Sequence, residues 1–253
     1  MSDRESNRPA LVLIHAFPFA SSMWEPQRAA LTEQFDLHTP DLPGFGGQPR
    51  LDGESFSMEL AARHLEGELN TRGIDRCILG GLSMGGYVAF QCWRLFPERI
   101  AGMILADTKA SADSEEARKA RYTAAERIGG GDYSGYVEEL LGKLLSEKTR
   151  RDRPELVDHV RSLALATLPE SATDALIGMA LRGDSTDLLS TIDVPTLLIF
   201  GEDDAITTIE EGERMAATIP HAKLVLVKNA GHLANIEGAG EFNGAVCEYR
   251  WEG

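Results

Sequence analysis

The sequence predicts an α/β fold, a mostly parallel, doubly wound sheet of about six strands with an inserted helical layer. Three observations lead there. Short apolar runs rich in Val, Ile and Leu recur along the chain, each closed by Gly, Asp or Pro. Segments of helical length and period separate most of them. One interval, from Asp107 to Val194, contains no convincing strand.

The apolar runs are Ala10–His15, Phe35–Thr39, Arg76–Leu82, Ile100–Ala106, Thr196–Phe200 and Lys223–Val227. Their apolar character is continuous rather than alternating, which predicts strands buried on both faces of a parallel sheet. Between them, Phe56–Arg72 carries Met58, Leu60, Ala61, Leu65 and Leu69 at one-face helical spacing. Tyr87–Phe96 continues in the same way and is stopped by Pro97. Strand–helix alternation predicts right-handed βαβ units. The Asp107–Val194 interval is far longer than a single crossover needs. It reads as helices over Ser111–Ile128, Tyr133–Ser146, Pro154–Thr167 and Pro169–Leu181, punctuated by Gly129, Gly130, Gly131, Pro154, Pro169 and Gly183. Open α/β sheets hold ligands at the carboxyl ends of their strands. The expected plan is therefore a core of residues 1–110 and 190–253 with a helical cap, 111–189, inserted over those ends.

Composition excludes several classes of partner. The chain has 253 residues, 25 basic and 40 acidic, for a net charge of −15. Such a surface disfavours nucleic acid, whose phosphates require basic patches, and equally an anionic membrane face. The polar start MSDRESNRPA holds no apolar stretch of signal-peptide length, and no run is long enough to span a bilayer. Cys77, Cys92 and Cys247 are odd in number and widely spaced, so neither a disulfide framework nor a C-x-x-C site is expected. The expectation is a cytoplasmic protein with reduced thiols. No two histidines stand four residues apart and none clusters with cysteine, so no metal and no other cofactor is expected.

The most specific motif is Gly81-Leu82-Ser83-Met84-Gly85, followed by Gly86. It matches G-x-S-x-G at the junction of a strand and a helix, where small neighbours let a serine occupy a strained, exposed turn. That turn also puts Ser83 and the Met84 amide at a helix N-terminus, which favours negative charge. With His15-Ala16-Phe17-Pro18, Asp41-Leu42-Pro43-Gly44-Phe45-Gly46, and Gly201…Asp204 with Ala230-Gly231-His232, the chain resembles the α/β-hydrolases. The likeness runs from about Leu11 to Val246 and is strongest to small capped esterases and 3-oxoadipate enol-lactonases. Only about nine residues precede the His15 segment, so the N-terminal hairpin usual in such proteins is expected to be missing.

The resemblance implies a Ser–His–acid triad, since a serine hydroxyl needs a base and the base an orienting acid. Ser83 is the expected nucleophile, and His232, in the loop after the last strand, the expected base. Asp204, three residues past Gly201, is the expected acid. Asp203 beside it reads as a turn residue, and Asp107, closing the strand after Ser83, is the alternative acid. The implied oxyanion donors are the amides of Phe17 and Met84. Ala16 stands where glycine is usual, which would strain the loop if that position required positive φ. Phe17 and Phe19 are candidates to line a substrate pocket, with core packing the competing role. Asp41–Gly46 reads as a structural turn, because no lysine or helix follows to make it a phosphate cradle.

The function implied is a cofactor-free serine hydrolase acting on small-molecule esters or lactones through an acyl-enzyme. Serine in the elbow argues against the dehalogenases and epoxide hydrolases of related fold, which use aspartate there. Perhydrolase (haloperoxidase) and hydroxynitrile-lyase chemistries on the same triad, or a non-catalytic ligand-binding receptor, are the alternatives, since fold does not dictate function.

Overall fold

In the computed structural model, which describes residues 8–50 and 55–251, every apolar run contributes a strand. The polar start, read above for targeting signals, lies up to residue 7 outside the described residues. The strands are β1 (Ala10–Ile14), β2 (Asp36–His38), β3 (Cys77–Leu82), β4 (Ile100–Ala106), β5 (Thr196–Gly201) and β6 (Ala222–Val227). They form one sheet in the order β2-β1-β3-β4-β5-β6, and every pairing is parallel. Burial on both faces holds for the interior strands β3 and β5, each buried along its whole length. It fails at the two edges, where β2 has no fully buried residue and β6 has one. An edge strand has a neighbour on one side only, so its apolar residues are only partly covered.

The helices of the sheet layers are α1 (Glu25–Leu31), α2 (Met58–Arg72), α3 (Met84–Leu95), α9 (Ile209–Thr218), α10 (Ala234–Glu237) and α11 (Ala239–Glu248). Local chemistry sets the ends of α2. The Ser57 hydroxyl accepts from the Leu60 amide at 3.1 Å, and Gly73 closes the helix at φ 66°. Its buried stripe is Met58, Ala61, Ala62, Leu65 and Leu69, while Leu60 is only half-buried. α3 begins at Met84, three residues earlier than its apolar period suggests, because the elbow turns directly into the helix. α2 packs on α3, and α1 on α11.

Between β4 and β5 run α4 (Glu115–Gly129), α5 (Tyr133–Leu144), α6 (Glu147–Asp152), α7 (Pro154–Leu165) and α8 (Pro169–Ala180). α4 lies along α8 and α5 along α7. The short helix α6 has no signature in the apolar period. Ser146, read above as the end of the preceding helix, instead starts α6: its hydroxyl accepts from the Thr149 amide at 3.1 Å. Among the described residues, no helix is long and apolar enough to cross a membrane.

Candidate active site

Ser83 sits at the carboxyl end of β3 with φ 53° and ψ −111°, a positive φ that few side-chain-bearing residues adopt. Crowding is what holds it there. A Cβ on Gly81 would come within 2.2 Å of the Gly85 carbonyl, and one on Gly85 within 2.2 Å of the Ile14 oxygen. Only glycines let α3 approach β1 and β3 so closely. The Ser83 amide donates to the Ala106 oxygen at 2.9 Å, and the Thr108 hydroxyl donates to the Ser83 oxygen at 2.8 Å. Ser83 remains half-buried while its neighbours are buried, so the serine is the accessible point of the turn.

His232 and Asp204 form a buried pair. The Nδ1 of His232 lies 2.8 Å from Asp204 Oδ2, with the side chains 2% and 0% exposed. The other oxygen, Oδ1, accepts from the amides of Ile206 at 2.7 Å and Thr207 at 3.0 Å. Those bonds fix the carboxylate plane toward the ring. Nδ1 therefore carries the proton, and Nε2 is left with its lone pair directed away from Asp204. Ser83 and His232 share no hydrogen bond among the described residues, a spacing that commonly tightens only with substrate in place.

Asp107, the alternative acid, is engaged elsewhere. It lies at φ 43° at the end of β4, wholly buried, and accepts from the Gly201 amide at 2.8 Å and the Ala234 amide at 3.2 Å. It thereby laces β4 to the loops that carry Asp204 and His232. Burial, and next the Asp204 carboxylate, push its pKa well above the ordinary carboxylate value.

The remaining polar groups sit at the start of the loop after β1. Neither the Phe17 nor the Met84 amide donates to any described residue. Both residues are buried, and an unused buried donor costs roughly 1–3 kcal/mol unless a ligand engages it. Ala16 is not among the residues with positive φ, so the strain expected from its replacing glycine does not arise. His15 anchors the loop instead. Its Nδ1 lies 3.1 Å from the Ala16 oxygen, and its Nε2 accepts from the Leu42 amide at 3.1 Å. Phe17 keeps 8% of its surface and Phe19 none, and both pack in the hydrophobic core.

A family model described as alpha/beta hydrolase fold matches residues 9–239. The chain belongs to the α/β hydrolase family. An esterase from Thermogutta terrifontis, solved with malate bound, is 41% identical to this hydrolase with a TM-score of 0.91, covering 95% of this chain and 88% of that one. The enol-lactonase from Burkholderia xenovorans LB400 is 26% identical with a TM-score of 0.88, covering 98% and 93%. The 3-oxoadipate enol-lactonase 1 of Acinetobacter baylyi is 28% identical over 93% of this chain and 86% of its own.

The hydrolase also braces its helical insertion against both loops of the site, through Thr167, Ser146 and Glu237, none of which belongs to a motif of the sequence. The Thr167 hydroxyl donates to the Pro18 oxygen at 2.6 Å, tying the end of α7 to the loop after β1. On the other side, Glu237 accepts from the Gly231 amide at 2.7 Å and from the Ser146 amide at 2.9 Å. The Ser146 hydroxyl donates to the Asn229 oxygen at 3.0 Å. A Cβ on Gly231 would meet the Ser146 nitrogen at 2.7 Å, so the residue before His232 leaves no room for a side chain. Apart from the Gly231–Glu237 bond, these hydrogen bonds join residues 83 to 149 positions apart in the chain, which no local pattern reveals.

Proposed function

We propose that this α/β hydrolase cleaves small carboxylic esters or lactones through an acyl-enzyme formed on Ser83. The observation that carries the reading is the Asp204–His232 pair, which leaves Nε2 as an available base. That base stands on the loop laced by Asp107 to the strand beside the Ser83 elbow. His232 takes the Ser83 proton as the oxygen attacks the substrate carbonyl, and Asp204 supports the imidazolium that forms. The tetrahedral oxyanion is received by the unspent amides of Phe17 and Met84, which become stronger donors as charge develops. His232 then returns the proton to the leaving group and activates the water that releases the acid. No step calls for a cofactor.

In this reading residues 111–189 act as a cap over the site, Phe17 lines the acyl pocket, and Phe19 packs behind it. The esterase and enol-lactonase relatives support an ester or lactone as substrate, and the malate held by the Thermogutta relative is a small carboxylic acid. A fluorophosphonate probe tests the nucleophile. It should label Ser83 alone, and Ser83→Ala should abolish labelling and lower turnover by several powers of ten with the fold intact. Labelling elsewhere, or turnover surviving in Ser83→Ala, refutes the assignment.

A further inference from the structure

The two loops that carry the base and the first oxyanion donor leave strands that do not touch. β1 feeds the loop with Phe17 and β6 the loop with His232, while β3, β4 and β5 lie between them in the sheet. Hydrogen bonds of the sheet therefore do not set the spacing of these loops directly. A buried pair of side-chain amides joins them instead. Gln27, in α1, donates through Nε2 to the backbone oxygen of Asn235, in α10, at 2.7 Å. Asn235 answers through Nδ2, to Gln27 Oε1 at 3.2 Å and to the Met23 oxygen at 3.1 Å. Gln27, Asn235 and Met23 are all 0% exposed.

The pair reaches both loops within a few residues. Asn235 follows His232 by three positions, and the Ile236 and Glu237 amides both donate to the Leu233 oxygen at 2.9 Å, which holds that stretch as one turn. Met23 is the link to the other loop, because its sulfur accepts from the Ala16 amide at 3.1 Å. The Ala16 oxygen in turn accepts from the Phe19 amide at 2.9 Å. A peptide unit is planar, so fixing the Ala16 oxygen also fixes the direction of the Phe17 N–H. A continuous set of bonds thus runs from the Phe17 peptide through Met23 to Asn235 and the turn after His232.

Stability alone would not choose this arrangement. Asn235 Oδ1 is buried with no hydrogen-bond partner among the described residues, and so is the indole Nε1 of Trp24, next to Met23 in the chain. An unpaired buried polar atom costs stability, and apolar side chains of the same shape avoid that cost. What the amide pair supplies is direction. Its reciprocal bonds admit one register between α1 and α10, which apolar packing alone does not impose.

We propose that Gln27 and Asn235 are positioning residues, a clasp that sets the separation of the His232 imidazole from the Phe17 amide so that both address one substrate carbonyl. The proposal rests on the ester or lactone hydrolase reading above and adds the element that sets its geometry. Neither side chain touches the reacting atoms, so the clasp acts only through the two loops. A displacement of about 1 Å in such an arrangement costs on the order of a hundredfold in rate.

The test measures the rate and the final extent of fluorophosphonate labelling, together with kcat and KM for p-nitrophenyl butyrate and the melting temperature. The proteins are wild type, Gln27→Met, Asn235→Leu, the double variant and Asn243→Ala. Asn243 serves as control, since its Nδ2 bonds α11 to the Pro26 oxygen of α1 at 3.0 Å and reaches neither loop. Gln27→Met and Asn235→Leu should each slow labelling and lower kcat roughly ten- to hundredfold, with labelling still complete and KM changed by less than about threefold. The double variant should melt higher than the sum of the single losses gives, because neither amide is left without the other, yet stay as slow as the slower single variant. Asn243→Ala should label at the wild-type rate.

A pair that only supports the fold gives a different pattern: labelling that stops short of completion at an unchanged rate, with activity following the melting temperature. That pattern overturns the clasp, as do wild-type labelling rates in both single variants or an equal slowing in Asn243→Ala. If Asn235→Leu does not fold, Gln27→Met, which keeps the Asn235–Met23 bond, decides by the same measurements. Active wild type with unaffected variants refutes the clasp and leaves the hydrolase reading standing. A wild type that neither labels on Ser83 nor cleaves the ester refutes the hydrolase reading and the clasp with it.

Discussion

His15 should make the folded protein sensitive to mild acid, and the size of the effect follows from its surroundings. The ring is wholly buried, accepts from the Leu42 amide through Nε2, and lies 4.9 Å from the Phe45 ring. Burial, only partly opposed by the Ala16 oxygen and Asp41, lowers its pKa from 6.5 to about 4. Between those values the unfolded chain binds a proton that the folded one refuses, so stability rises with pH across the window and falls as the pH drops through it. The full shift corresponds to about 3 kcal/mol, of which about 2 kcal/mol is already lost at pH 5. Protonation would also remove the acceptor used by Leu42 and loosen the loop that carries Phe17. Urea unfolding at steps from pH 7.5 to pH 4.5, in wild type and His15→Asn, measures the effect by linear extrapolation. The raised pKa of Asp107 works in the opposite sense, costing stability as pH rises, but it is common to both proteins and cancels in the difference. The variant should be less stable at neutral pH and show a flatter slope. Parallel curves would mean that His15 does not titrate as its burial requires.

Three further outcomes follow from the site. Asp204→Asn keeps an oxygen for the Ile206 and Thr207 amides but turns an amide toward His232, so kcat should fall on the order of 10⁴-fold with little loss of stability, as for an imidazole held in the wrong tautomer. Asp107→Asn should instead lower the melting temperature more than kcat, because it disturbs the Gly201 and Ala234 amides; the opposite ranking by kinetics and melting would move the acid to Asp107. Across p-nitrophenyl esters, kcat/KM should rise over roughly C2 to C6, at about 0.8 kcal/mol per buried methylene, then fall once overpacking costs about 1–3 kcal/mol. A maximum at C12 would indicate an open, lipase-like groove.

Much of the molecule is legible in the chain itself, because the relevant physics is local. Continuous Val, Ile and Leu runs mark the parallel strands, and the strandless interval after Asp107 marks the helical insertion between β4 and β5. The crowding that forces Ser83 to positive φ is written in its own glycine neighbours. The residues that tertiary structure decides are those whose partners lie far along the chain. Which of two aspartates faces His232 depends on the amides of Ile206 and Thr207 fixing one, and those of Gly201 and Ala234 occupying the other. The brace from Glu237 to Ser146, the anchoring of the Phe17 loop by His15, and the pairing of Gln27 with Asn235 leave no period or motif. Each depends on long-range packing to bring a polar group out of water and against its partner, and a linear sequence does not display that distance.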